Sequence, residues 1–574
     1  MSASGHPRTP ARQGAAHTLA ELVRAQWDDH RPGGLRTADL HLTHHATAAA
    51  AAARAALLTE LLPRGAEPHI GLLLDNTPEY PLWLAAAALS GATVVGLNPT
   101  RRGAELARDL THTECALLVT ETAQLPLLRG LPETGGPLPR TLVTDEPAYA
   151  ELLRPYEGAK PGEHTVRTPE PGRRMLLTFT SGSTGAPKAV VVTQGRLAGA
   201  GQALVRNLGV RPEDVHYLCM PLFHGNAVMA GWAPALAAGA GVALARRFTA
   251  SRFLDDVRGY GATYFTYVGR AVQYLLATPE RPDDADNPLR LGFGTEAGPV
   301  DAARFSARFG ARLVEGYGSS EGGAALQYAE GAPPGAIGRP APGTDLAVVD
   351  PGTGSERPRA RLGGDGRLLN GEEAIGELVN RGTSLFEGYW KNEEADAART
   401  REGWYWTGDL FFRDQDGWFH FAGRAEDRLR VDSENLAAAV IENVLARCPG
   451  VTSAAVYAVP DPVSGDQVMT ALALEHPFDP EAFAAFLAAQ PDLSTKAAPR
   501  FVRVLERMPV TATNKIERAA LRRTGFHGEG SVWWTPYAVG EGRAGRTYRR
   551  LTADDLDGLL ARYRAHGRED LLGR

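Results

Sequence analysis

Cysteine is almost absent from this sequence. Cys115, Cys219 and Cys448 stand far apart in 574 residues, an odd number without metal-ligand spacing. That excludes a disulfide framework and points to a reducing compartment. A strong excess of one charge is missing too: the net charge is -6, which argues against a nucleic-acid binder. Nor is there a clean apolar run of membrane length. The charge-free stretches Tyr80–Thr100 and Tyr217–Ala245 are broken by Pro and Gly and carry Asn, Thr or His, so they read as buried core and no transmembrane segment is expected. The first 17 residues hold Gly, Pro, Arg and His without an apolar stretch. A disordered tail over residues 1–17, no signal peptide and a cytoplasmic location are therefore expected.

What is present is alternation. Thr18-Leu-Ala-Glu21 reads as a capping box, and Ala46–Leu62 is a strong helix former stopped by Pro63. His69–Leu74 is a short buried strand, a helix over Tyr80–Ser90 ends at Gly91, and Thr93–Val95 is another strand. Cys115–Val119 and Arg140–Val143 continue the pattern. Strands alternating with helices predict an α/β fold with parallel sheets covered on both faces. Gly335–Glu377, rich in Gly, Pro and short apolar runs, predicts a small β-rich subdomain. A second unit of strands and helices begins after Gly423. Near the end, Leu556, Leu559, Leu560 and Tyr563 share one helical face behind the cap Thr552, a helix expected to dock on the protein's own surface. A chain of 574 residues exceeds one core, so two or more domains are expected.

One segment carries chemistry openly. Thr180-Ser-Gly-Ser-Thr-Gly-Ala-Pro-Lys188 lies between the apolar runs Met175–Phe179 and Ala189–Val192. Two glycines and four hydroxyls in nine residues offer backbone N–H groups that can wrap a phosphate, and Lys188 adds a point charge. It is not a Walker A loop, because the lysine lies three residues past the second glycine, behind a proline.

This loop resembles the nucleotide loop of the adenylate-forming superfamily of acyl-CoA synthetases, luciferases and peptide-synthetase adenylation domains. Glu315-Gly-Tyr-Gly-Ser-Ser-Glu321 resembles its Tyr-Gly-x-Thr-Glu motif, with Ser320 where Thr is usual. Gly376–Gly382 and Trp404-Tyr-Trp-Thr-Gly-Asp409 resemble the next two, Gly423-Arg424 stands at the usual hinge, and Asn514-Lys515 matches the carboxy-terminal lysine motif. The resemblance covers roughly residues 18 to 526. It implies a large adenylating domain over 18–422, made of two α/β subdomains plus the small β-rich one. It further implies a small mobile α+β C-terminal domain over 423–526 with its hinge at 424–427, leaving 527–574 as an extension. Leu97-Asn-Pro99, Pro221-Leu-Phe-His-Gly225 and Tyr267-Val-Gly269 are similar to the long-chain and very-long-chain acyl-CoA synthetase branch, which includes fatty-acid transport proteins and actinobacterial relatives.

The implied activity is an ATP-dependent, AMP-forming ligase. A carboxylate attacks the α-phosphate, pyrophosphate leaves, and the acyl group passes to CoA. Thr180, Ser181, Gly182, Ser183, Thr184 and Gly185 would hold the β- and γ-phosphates with Lys188 nearby, and Glu321 would ligate Mg²⁺, a cation that prefers carboxylate and phosphate oxygen. Tyr317 and Gly294-Thr295-Glu296 would border the adenine, Asp409 the ribose hydroxyls, and Arg424 ribose or phosphate. Lys515 would approach the attacking oxygen. His224 and Gly225 would stand at the rim of the acyl pocket; Arg270 reads either as a solvated helix residue or as a contact for an anionic group there. ATP and Mg²⁺ are thus the expected cofactors, CoA the co-substrate, and small molecules the partners; weak membrane association and oligomeric state stay open. Ser433 stands where CoA-using relatives usually carry Gly, which keeps other acceptors in view. These are a diazotase-type reaction, in which nitrite is activated for an aryl amine, and an amide-forming one. A non-enzymatic binding protein of this fold should have lost Lys188, Glu321, Asp409 or Lys515, and all four are present.

Overall fold

Strands that read as unbroken apolar runs end up covered on both faces, which is what a parallel sheet requires. The computed structural model describes residues 16–571 except 64, 132–137, 181–186, 342, 365, 432–433, 464, 495, 512–514 and 537–545. These residues divide into two units. The first holds the chain up to Phe248 with Asp256–Thr266 and Glu387–Glu393; the second holds Thr249–Asp255, Tyr267–Phe386 and everything from Glu394.

In the first unit, a six-stranded sheet runs in the order Arg140–Val143, Leu117–Thr120, His69–Leu73, Thr93–Gly96, Arg174–Phe179, Ala189–Thr193. The first five strands are parallel and the last is antiparallel to its neighbour. Every residue of His69–Leu73 is buried. A second set of strands, Leu35–Arg36, Gly241–Leu244, Val215–Leu218 and Tyr264–Thr266, is also parallel. The helix His44–Leu61 starts where the Thr43 hydroxyl accepts from Ala46 N–H at 3.0 Å. The helix Glu79–Ser90 stops at Gly91 in the left-handed region, φ 73°. The expected capping box at Thr18 forms by half. Thr18 accepts from Glu21 N–H, but the Glu21 carboxylate accepts from His17 N–H at 2.7 Å instead of closing on Thr18.

In the second unit, the parallel pair Leu291–Thr295 and Arg312–Glu315 leads into antiparallel sheets. One of these runs Leu346–Val349, Gly376–Asn380, Trp404–Arg413 and Phe419–Arg424. The last sheet runs Val451–Pro460, Asp466–Leu474, Phe501–Val504, Ser531–Trp534, Arg549–Arg550. Its period-two pattern separates two cores. Val456, Val468 and Leu472 face the helices Ala438–Leu445 and Pro480–Ala488. Ala455, Tyr457, Val459 and Met469 join Leu521, Leu559 and Tyr563 on the other face.

The two strands beyond residue 526 therefore extend the same sheet, and the helix Ala553–Ala565 covers it. Thr552 and Asp555 form a capping box at its start. Tyr563 is 1% exposed and its hydroxyl donates to the Pro460 carbonyl. We expect Leu559→Ala, at a site 2% exposed, to cost about 2–5 kcal/mol of stability. Urea unfolding checks this, and a loss within error would mean the helix is not part of that core.

Candidate active site

The antiparallel strands Arg174–Phe179 and Ala189–Thr193 hold the base of the glycine- and hydroxyl-rich loop. Thr180 N–H donates to the Lys188 carbonyl at 3.2 Å, closing the loop at its root. Ser181, Gly182, Ser183, Thr184 and Gly185 lie outside the described residues. In the same unit, the segment after Val215–Leu218 is pinned by the buried Asn76. Its amide donates to the Met220 carbonyl and its oxygen accepts from Leu222 N–H, both at 2.9 Å. That fixes the turn carrying His224, whose ring packs on Phe223 at 4.5 Å, and the buried Gly225.

The second unit brings together the residues expected around a nucleotide. Gly294 and Thr295 end the strand Leu291–Thr295, paired with Arg312–Glu315. Tyr317 follows, and its hydroxyl donates to Asp409 Oδ2 at 2.7 Å while its ring sets an edge against Phe411. Asp409 is 8% exposed and lies opposite Arg424 in the strand pairing, with Arg424 Nε 3.6 Å from its other oxygen. Burial raises the Asp409 carboxyl above its ordinary range, against the downward pull of Arg424 and the Tyr317 hydroxyl. Glu321 is 6% exposed, with the Arg399 guanidinium 3.9 Å away. Arg399 itself is tied to the Thr407 carbonyl at 2.6 Å. Ser320, beside Glu321, is half-buried.

Lys515 Nζ donates to Glu296 Oε1 at 2.7 Å. Partial burial works against ionisation of Glu296, but Lys515, Arg518 and Arg424 outweigh it and hold the carboxyl below the ordinary range. Arg270, at the start of the helix Gly269–Leu276, is half-buried, donates to Gln273 at 2.9 Å and packs over the Tyr274 ring. Ser433 and Asn514 lie outside the described residues.

The parts played by three residues escaped the sequence reading. Glu315 Oε1 accepts from the Tyr267 hydroxyl at 2.7 Å and from Ala297 N–H at 3.0 Å. Arg399 braces Glu321 from 78 positions downstream, with no motif around it. Tyr267-Val-Gly269 gave a signal, but as a mark of lineage and not as the floor beneath Gly294. Among the described residues no group of three or more His, Cys, Asp or Glu gathers as a metal cage. No helix among them is long and apolar enough to cross a membrane.

Fold and site together define an adenylate-forming ligase. The solved anthranilate CoA ligase AuaEII in complex with anthranoyl-AMP superposes with a TM-score of 0.78 at 22% identity, covering 89% of this chain and 97% of that one. The amide bond synthetase McbA from Marinactinospora thermotolerans does so at 0.72 and 26%, covering 88% and 99%. The chain belongs to the AMP-binding enzyme family: residues 28–390 match its main domain and 440–515 its C-terminal domain. It is 49% identical to a steroid-22-oyl-CoA synthetase of Rhodococcus jostii (strain RHA1), over 97% of this chain and 99% of that protein. It is 44% identical to the medium/long-chain-fatty-acid–CoA ligase FadD17 of Mycobacterium tuberculosis, over 86% and 92%. The protein is an AMP-forming ligase of the acyl-CoA synthetase kind, a family that uses ATP and CoA.

Burial pushes the Glu315 carboxyl up to about 8, against the pull of the Tyr267 hydroxyl and the Ala297 N–H, from an ordinary 4.5. Below pH 4.5 the folded and unfolded chains both carry this proton and the contribution to stability is complete. As pH rises toward 8 the unfolded chain releases the proton while the folded one keeps it, so stability falls. Glu315→Gln should lack this decline. Thermal midpoints of the two proteins from pH 5 to 8.5 check it, and parallel curves would exclude it.

Proposed function

We propose that the protein activates a large apolar carboxylic acid, of the steroid side-chain or long-chain fatty class, and transfers it to CoA in the cytoplasm. The observation that carries this reading is 49% identity to a steroid-22-oyl-CoA synthetase across 97% of the chain. In the proposed reaction the carboxylate oxygen bonds to the α-phosphorus of ATP and the bond to pyrophosphate breaks. The CoA sulfur then bonds to the acyl carbon, loses its proton and releases AMP.

The residues take the roles their surroundings suit. Tyr317, fixed by Asp409, would lie against the adenine, and the backbone of Gly294–Glu296 would border its other side. Asp409 keeps lone pairs that can accept from ribose hydroxyls, with Arg424 beside it for ribose or phosphate. Thr180, Lys188 and the residues between them would take the β- and γ-phosphates. Glu321 offers one buried carboxylate, which fits Mg²⁺, an ion that completes its shell with water and phosphate oxygen and needs no protein cage. Bound there, the ion would neutralise charge on the phosphates. Lys515 would supply a cation where charge builds during attack on the α-phosphate. His224, Gly225 and Arg270 would border the acyl group. The domain boundaries at 422, 423 and 526, with a hinge at 424–427, belong to the same proposal.

Lys515→Ala should lower acyl-adenylate formation by roughly 10²–10³-fold yet still pass a chemically made adenylate to CoA, because its charge is needed only in the first transition state. Equal losses in both half-reactions would point to misfolding. The substrate class is read from AMP release with ATP, CoA and either a steroid C22 acid or a long-chain fatty acid. The same assay takes an aryl amine with nitrite, or an amine with a carboxylate, in place of CoA. CoA-dependent turnover of the apolar acids is expected. Turnover that ignores CoA and requires an amine would replace this reading by a diazotising or amide-forming one.

A further inference from the structure

The contact between Lys515 and Glu296 joins residues 219 positions apart, and both ends are set by their own backbones. On the lysine side, Thr511 N–H donates to the Lys515 carbonyl at 2.7 Å and Lys515 N–H to the Thr511 hydroxyl at 3.2 Å. Val510 bridges Ile516 just outside this pair. On the glutamate side the constraint is stronger. Glu296 has φ 71°, in the left-handed region that residues with a side chain seldom enter. Three neighbours hold it there. The Glu315 carboxyl accepts from the next N–H, that of Ala297. The Tyr267 hydroxyl donates to the same Glu315 oxygen. The Gly269 backbone presses so close that a β-carbon there would fall 1.7 Å from the Glu296 carbonyl oxygen.

Such a pair is a poor source of stability. The two side chains are 41% and 45% exposed, and exposed ion pairs contribute little to folding. A left-handed glutamate held by a half-buried acid, a buried tyrosine and a glycine is better explained by where it sends its carboxylate. That carboxylate receives Lys515, whose ammonium has three N–H donors. Among the described residues Glu296 occupies one, which leaves two for oxyanions of the substrates.

We propose that Glu296 is the positioning carboxylate of Lys515: it docks the ammonium for acyl-adenylate formation. This rests on the role given to Lys515 above. Glu296 acts through the lysine and is not itself offered as a catalytic residue.

The experiment is a double-mutant cycle on the full-length protein, with Glu296→Gln, Lys515→Ala and the double variant. Each is assayed in single turnover for acyl-adenylate formation at saturating MgATP, and for transfer from a chemically made acyl-adenylate to CoA. Glu296→Gln alone should slow adenylate formation by roughly tenfold, on kcat more than on KM for ATP, and raise the ratio of the thiol step to the first step. In the Lys515→Ala background the same substitution should change adenylate formation by less than about twofold, because residues acting as one unit are not additive. Added KCl should slow the parent more than Glu296→Gln, since salt screens an exposed pair. Equal loss in both backgrounds would assign Glu296 to the nucleotide itself and overturn the proposal, as would no loss in either. Full adenylate formation by Lys515→Ala would instead sink the role of Lys515 and is read separately.

Discussion

Two glycines let three pieces of backbone come closer than any side chain would permit, and the placement of Glu296 and Glu315 depends on that approach. A β-carbon at Gly294 would lie 2.2 Å from the Tyr267 carbonyl oxygen, and one at Gly269 would collide with the Glu296 carbonyl. The segment Tyr267–Gly269, strand Leu291–Thr295 and the turn after it thus interlock closely. Tyr267 then passes beneath Gly294 and reaches Glu315 and the Val314 carbonyl with its hydroxyl. Placing a methyl group at either glycine would move the backbone that carries Thr295 and Glu296, not just one side chain. Packing of this density transmits displacement because interiors have no slack to absorb it.

On that frame the charged groups are kept in different states. Glu315 and Asp409 sit where burial favours the neutral form, whereas three cations keep Glu296 ionised. Glu315 serves as a hydrogen-bond acceptor in an interior place, a role that survives protonation, since a carboxylic acid retains acceptor oxygen. Asp409 differs, because Arg424 lies within 3.6 Å and the arginine is half exposed. A ligand that covered Arg424 would desolvate both partners and strengthen their attraction. Carboxylates of one chemical type thus acquire different work from their surroundings, as pKa arguments for active sites anticipate.

Much of this was legible from local pattern. The helix over Tyr80–Ser90 and its Gly91 stop, the cap at Thr552, and the hairpin that brackets Thr180–Lys188 follow from short-range chemistry that a single sequence carries. Tyr317 and Asp409 could be named because each stands in a compact motif, although 92 residues separate them. The partners of those residues could not. Nothing near Arg399 announces that it faces Glu321, and nothing near Glu296 says that its backbone is left-handed, since Glu is not a residue from which that conformation is inferred. The conformation is imposed from Gly269 and Glu315, and long-range backbone contact leaves no local signature. The helix Ala553–Ala565 lies between these cases. Its amphipathic face and cap were readable, but its share in the core behind Val451–Pro460 depended on a sheet order that strand patterns do not encode.

The cations after residue 514 show where a rotation of this segment would cost free energy. Arg518 pairs with Glu442 at 2.8 Å, and Glu442 also accepts from Val456 N–H. These groups lie together beyond the expected hinge, so a rigid rotation carries that cluster along intact. Arg518 and Arg522 also reach Asp427, within the expected hinge turn Ala425–Asp427, and Lys515 reaches back to Glu296. Were the segment to turn about Ala425–Asp427, those contacts would shear. Asp427 is only 13% exposed at the side chain, so opening its pairs with Arg518 and Arg522 would cost more. Lys515 and Glu296 are 41% and 45% exposed, so there water would replace the lost partner. Exposed pairs of this kind differ little in free energy between made and broken. If the segment turns in the proposed two-step reaction, a buried pair in place of Lys515 and Glu296 would favour one orientation over the other.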